Sequence, residues 1–225
     1  MTLTRNVWLV ALAAICLLYI LLRFWNLTGS CLWFDEIFSV HAARHAWAEM
    51  FWFVAQDLIH PPLFYVFLKL WISIGGESLA WLRAFPVFFS VAALVPFFLL
   101  CRELKLNFQA AAAALFFLAV NGALIKYAQE VRMYAVFQCA ALFSLWIFAR
   151  YFNLGKNIWI LTALNILLIY THYFGWLVVA AEITAIAVLQ RIKIRQMAVM
   201  AGILLASFAP WIYALWRAAQ VNSDL

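Results

Sequence analysis

The sequence predicts an all-α fold: a polytopic membrane bundle of about seven transmembrane helices, with interfacial helices in a long first extracytoplasmic loop. Three observations carry this. Hydrophobic residues make up 69% of the chain and charged residues 11%, against roughly a quarter charged in a soluble domain. Phe (21) and Trp (12) are abundant, as in side chains that fill lipid-facing bundles and their interfacial belts. The apolar residues gather in runs close to the roughly 20 residues that cross a bilayer.

Six runs qualify: Val7–Leu22, Ala84–Cys101, Leu106–Ile125, Met133–Ala149, Asn157–Gln190 and Gln196–Trp216. The first follows Arg5 and shows no small-residue cleavage site before Arg23, so it reads as a retained span rather than a removed signal. The fifth is too long for one helix and interrupts itself at "THYFG", residues 171 to 175, which divides it into two short spans and brings the total to seven. The segment "HPPLFYVFLKLWISIGG", 60 to 76, opens on prolines suited to a helix start and closes on Gly-Gly. It is short and carries Lys69, and counting it as a span would invert everything downstream.

Charge arbitrates. With that segment in the interface, one set of loops holds Arg5, Arg102, Lys105, Arg150, Lys156, Arg191, Lys193 and Arg195, with Glu103 as its only acid. The other holds Asp35, Glu36, Glu49, Asp57, Glu77, Glu130 and Asp224 among a similar number of cations. Short loops rich in Lys and Arg face the cytoplasm. The N-terminus is therefore expected inside and the C-terminus outside. A first outer loop spans about 26–80 with the apolar 60–76 helix at the headgroup boundary, and a second spans about 126–132. Residues 1–225 read as a single module. The net charge of +6 reads as topology rather than nucleic-acid affinity, because the cations form no continuous basic face. Cys16, Cys31, Cys101 and Cys139 lack the paired spacing of a metal site or disulfide framework.

The outward-facing polar residues are Asp35, Glu36, His41, Arg44, His45, Asp57, His60, Arg83, Lys126, Tyr127, Gln129, Glu130, Arg132, His172 and Tyr173. Acids that abstract protons and cations that receive an anion share one layer. Group transfer from a phosphate leaving group needs both. Each has a structural alternative. Asp35 is either a base or the N-cap of a helix starting at Glu36; Glu36, about 100° further round the helix, is a helper or a surface charge. Arg83 and Lys126 either bind phosphate or snorkel to the interface. Arg132 either does the same or pairs locally with Glu130, and His172 serves the site or only its turn. His41, Arg44 and His45 decorate a solvated face. Glu182, mid-span, holds the bundle together or has a function, and is left outside the site. Adjacent Asp35 and Glu36 are the candidate oxygen ligands for Mg²⁺ or Mn²⁺.

The ordered motifs "WFDE", "HPPLFY", "LAWLRAFP", "YAQEVRMYA" and "YTHYFGW" resemble those of the GT-C fold glycosyltransferases that use polyprenyl-phosphate-linked sugars. The resemblance is to the branch of protein O-mannosyltransferases and lipid A aminoarabinose transferases, and covers Trp33 to about Trp176. It implies a seven-helix module and transfer of a sugar to an acceptor hydroxyl at the extracytoplasmic face of a prokaryotic plasma (inner) membrane. It implies Asp35 as catalytic base with Glu36 beside it, and Glu130 as the second-loop acid, standing as Glu where relatives carry Asp. His60, Pro61 and Pro62 open the interfacial helix near the donor, and Arg83 and Arg132 lie near the lipid phosphate. Relatives continue with further spans, so a partner subunit or a missing C-terminal half is expected. The competing readings are a non-catalytic subunit that binds lipid-linked sugar, and a transporter or flippase for such a lipid.

Overall fold

The structure, a computed structural model, describes residues 2–190 and 193–223; Arg191 and Asp224, which enter the charge count, lie outside them. It is 83% helix, with no strand among the described residues. The helices are α1 (Thr2–Phe24), α2 (Phe34–Arg44), α3 (Trp47–Asp57), α4 (Leu63–Gly75), α5 (Leu79–Ala92), α6 (Leu94–Glu103), α7 (Phe108–Val120), α8 (Gly122–Gln129), α9 (Tyr134–Leu154), α10 (Ile158–Thr171), α11 (Gly175–Leu189) and α12 (Ile194–Ser223).

Four stretches are long and apolar enough to cross a membrane: Val7–Phe24, Leu79–Glu103, Tyr134–Leu154 and Ile194–Val221. A fifth arises if α7 and α8, bent by 60° at their junction, count as one. This is a membrane protein by length and composition. The expected seven apolar segments all form helices, but α10 (14 residues) and α11 (15 residues) are about 21–23 Å long, shorter than a bilayer core.

Local chemistry explains the breaks. Pro96 lacks the N–H that would bond Ala92, and α5 yields to α6 at Ala93. At "THYFG" His172 leaves the helix in an extended conformation and its Nδ1 accepts the Phe174 N–H at 3.0 Å. Gly175 then passes so close to α10 that a Cβ there would stand 2.8 Å from the Leu168 carbonyl.

The α7–α8 bend starts at Asn121, whose Oδ1 accepts the Leu124 N–H at 3.0 Å and caps α8. The carbonyls at the end of α7 lose their helical partners there, and Arg23 supplies new ones. Its guanidinium is wholly buried and lies 3.3 Å over the Tyr19 ring. It donates to Leu118 O (2.9 Å), Ala119 O (3.1 Å) and Ser90 Oγ (3.2 Å). In return the Gln129 amide caps α1 by donating to Arg23 O and Trp25 O at 3.1 and 2.8 Å.

Polar residues collect at the two ends of the bundle. At one end Arg150 stands 3.9 Å from Glu103, and Lys193 donates to Tyr151 O and Phe152 O. At the other, the two ends of α4 meet residues of the second and first loops. His60, before its start, touches Arg132. Past its end, Glu77 pairs with Arg44, and Trp71 and Trp81 stack with centroids 4.4 Å apart. Lys69 caps α2 by donating to Ala43 O (3.0 Å) and His45 O (2.6 Å). Phe64, Tyr65 and Leu68 bury one face of α4 in the main core with Phe85, Val136 and Ile169.

Candidate functional site

The site is built where the start of α2 meets the turn between α8 and α9. Helix α2 begins at Phe34 with Trp33 as its cap, and Glu36 reaches back to accept the Trp33 N–H at 3.1 Å. Asp35 is therefore not the N-cap; it sits in the first turn, where the helix dipole favours a negative charge. The capping belongs to Glu36.

Glu36 is not a surface charge either, being wholly buried. Its Oε1 accepts the Val131 N–H at 2.9 Å, and its Oε2 takes Arg83 Nη2 at 3.3 Å. Burial of a carboxylate is tolerated when paired and hydrogen-bonded in this way. Arg83 is 6% exposed, so it does not snorkel. Its terminal nitrogens also donate to Leu27 O (2.9 Å), Ser30 Oγ (3.3 Å) and Cys31 O (3.1 Å), fixing the loop before α2. One clamp thus joins loop 27–31, α2, α5 and residue 131.

Asp35 faces elsewhere, with its side chain 35% exposed. The buried Arg132 places Nη2 3.7 Å from Asp35 Oδ2 and donates through Nη1 to Asp35 O (3.1 Å) and Ser39 Oγ (3.3 Å). Nη2 also lies 3.0 Å from His60 Nε2. A guanidinium only donates, so His60 Nε2 carries no proton and its Nδ1–H donates to Asp57 Oδ2 at 3.1 Å. Burial first, then the Arg132 charge, lowers the His60 pKa. His172, its ring 6.4 Å from that of His60, is lowered by burial, then by His60 and Arg132. Tyr173 receives a hydrogen bond from Trp211 Nε1 at 3.2 Å.

The expected local pair between Arg132 and Glu130 is replaced by a different one. Glu130 Oε1 stands 3.4 Å from Lys126 Nζ, one helical turn earlier. Glu130 is buried, its Oε2 has no hydrogen-bond partner, and burial raises its pKa against the opposing pull of Lys126. Lys126 itself is 68% exposed. Tyr127 packs on Tyr134 with ring centroids 4.5 Å apart. A cleft of about 400 Å³ opens here, lined by Ser30, Cys31, Trp33, Glu36, Arg83, Lys126, Gln129 and Glu130.

Asp35 and Glu36 do not fit the Mg²⁺ or Mn²⁺ reading. Both Glu36 oxygens are occupied by N–H donors, while Asp35 turns to Arg132. Among the described residues, no three His, Cys, Asp or Glu side chains converge as a metal site. Of the remaining candidates, Arg44 pairs with Glu77, and His41 and His45 both pack against the Phe53 ring, His41 edge-on. Glu182 lies apart, in a buried ring with Ser144 (2.8 Å) and Asn165 (2.7 Å), which gives it a structural role. Ser39 and the pairing of Asp57 with His60 were not singled out from the sequence; their spacings, i+4 from Asp35 and i−3 from His60, were the available signal. No protein-family model matches the chain, and neither a curated protein nor a solved structure matches it.

Proposed function

We propose that the chain is a seven-span membrane glycosyltransferase of the GT-C type. It would move a sugar from a polyprenyl-phosphate donor to an acceptor hydroxyl at the extracytoplasmic face of a prokaryotic inner membrane. The observation that supports this best is the direct contact of Asp35 and Glu36 with residues 131 and 132, which gathers acid and base chemistry at one end of an apolar bundle. The excess of cations at the opposite end supports an outward-facing site by the positive-inside tendency. On this reading α2 to α4 lie in the interface, and α10 and α11 are the two short spans.

In the reaction, an Asp35 carboxylate oxygen takes the proton of the acceptor's hydroxyl as the acceptor's own oxygen attacks the anomeric carbon. The bond from that carbon to the phosphate oxygen breaks on the opposite face, and the phosphate leaves with the electron pair. Arg132 holds Asp35 in place. Lys126, the exposed cation beside the cleft, is better suited to meet the leaving phosphate than Arg83, whose terminal nitrogens are committed to Glu36 and the loop.

A positioned base contributes about 10²- to 10⁴-fold. Asp35→Asn in the reconstituted chain, supplied with a partner subunit if one is required, is expected to lower transfer by that factor without altering membrane insertion. Undiminished transfer would remove Asp35 from the chemistry. The burial of Glu36 and Arg83 in a structural clamp favours one second reading, a non-catalytic subunit that binds lipid-linked sugar. Donor binding with no release of polyprenyl phosphate, in any partner's presence, identifies it.

A further inference from the structure

The cleft beside Glu130 has a make-up that the proton-transfer step does not use. Asp35 does not line it. Its lining includes the buried carboxylate of Glu130, with one oxygen engaged by Lys126 and the other unpartnered. Leaving a buried acceptor unsatisfied costs about 1–3 kcal/mol, so this oxygen gains from any ligand that brings an O–H or N–H to it. The lining also includes Trp33, a residue 46% exposed, whose indole is a flat apolar surface. Arg83 adds a buried Nε with no acceptor. An acceptor, a donor and an aromatic plane in a pocket of about 400 Å³ suit a compact ring that is apolar on its face and hydroxylated on its edge.

We propose that this cleft is a carbohydrate-binding subsite, in which Glu130 accepts a sugar hydroxyl and Trp33 packs against the ring. The inference rests on the glycosyltransferase reading and deepens it. It makes Glu130 a binding and specificity residue rather than a base, and leaves Lys126 at the rim for the phosphate. Burial, which raises the Glu130 pKa with Lys126 opposing, is consistent with a group that exchanges hydrogen bonds with a neutral polyol.

Cys31 supplies the readout. It lines the cleft and is exposed, whereas Cys101 and Cys139 are buried and Cys16 is partly covered. In lipid nanodiscs, the rate at which a maleimide labels Cys31 is measured with no addition, with undecaprenyl phosphate, and with undecaprenyl phosphate bearing neutral hexoses or pentoses. At least one glycosylated lipid is expected to slow labelling about tenfold beyond the bare lipid, the scale of one hydrogen bond to a charged group. Glu130→Ala should erase that difference and keep the bare-lipid effect, while Glu130→Gln, which retains an acceptor oxygen, should preserve most of it. An unliganded labelling rate equal to wild type certifies each variant's fold.

Equal protection by bare and glycosylated lipids overturns the subsite and leaves the phosphate-binding reading standing. So does a sugar-dependent effect that survives Glu130→Ala. Loss in Glu130→Gln as complete as in Glu130→Ala overturns the acceptor role. Protection by none of the lipids overturns the glycosyltransferase reading itself, and the subsite with it.

Discussion

Asp35 and Arg132 stand 97 positions apart in the chain, yet the Arg132 guanidinium both donates to the Asp35 main-chain carbonyl and approaches its carboxylate at 3.7 Å. The same group reaches Ser39 and His60. Its planar fork makes these contacts together, which a single ammonium cannot do. Removing one partner of a buried charged network costs on the order of 3 kcal/mol, reduced here because Asp35 is partly solvated. Arg132→Lys is expected to lower the thermal unfolding midpoint in detergent, and Arg132→Ala to lower it further. A midpoint unchanged in both would show that the network contributes nothing to the fold.

Acid should loosen the same network. His60 is held neutral because its Nε2 accepts from Arg132, and its folded pKa is lowered from 6.5 by burial and then by Arg132, with Asp57 and Asp35 opposing. A histidine whose folded pKa is depressed binds fewer protons folded than unfolded below pH 6.5, so stability falls as pH drops from there toward the folded value. His172 shifts in the same direction. The unfolding midpoint should therefore decline as pH falls below about 6.5. In His60→Gln, which keeps an acceptor for Arg132 but gains no proton, the decline should be shallower. A pH slope identical to wild type would assign the effect elsewhere.

How much of this the sequence disclosed depended on the range of the interaction. The turn at His172 and the helix that follows His60-Pro61-Pro62 were legible because turn and helix-start chemistry is local along the chain. The α2 start was misjudged by two residues: the helix begins at Phe34, with Trp33 as its cap. Asp35 and Glu36 are both good helix-start residues, and the choice between them was made by Arg83 and Val131, which lie 47 and 95 positions away from Glu36. Arg132 paired across the bundle rather than with nearby Glu130 for a similar reason, since burial rewards a partner that also satisfies Ser39 and His60. The α7–α8 bend was hidden inside an apolar run. Asn121-Gly122 marked it, and the cation that completes it sits on α1.

That cation makes a sharp prediction. Arg23 serves two carbonyls exposed by the break at Asn121, as well as the Ser90 hydroxyl. Arg23→Met keeps much of the side-chain volume but leaves these acceptors unpaired away from water, at about 1–3 kcal/mol each. The variant is expected to be strongly destabilised, seen as loss of monodisperse protein on heating in detergent. Ser90→Ala, which removes one hydroxyl and leaves both carbonyls capped, should be mild. Equal damage from both would place the main load on Ser90 rather than on the α7 carbonyls.

The sidedness of the site can be read with Cys31. It is exposed near Arg83, at the end of the bundle that holds Asp35 and Arg132. Lys156 follows the close of α9, at the end where Lys193 caps Tyr151 and Phe152. A helix of 21 residues such as α9 separates these layers by about 30 Å, the thickness of a hydrocarbon core, so a reagent excluded by the bilayer meets one and not the other. In intact cells a membrane-impermeant maleimide should modify Cys31, whereas Lys156→Cys in a chain with Cys31 replaced by Ser should react only after permeabilisation. Reversal of the two would turn the bundle over and put the Asp35 cluster in the cytosol, where Arg150, Lys156 and Lys193 would then face outward against the usual charge bias. Reaction of both in intact cells would mean that α9 does not cross, and the proposed span count would fall with it.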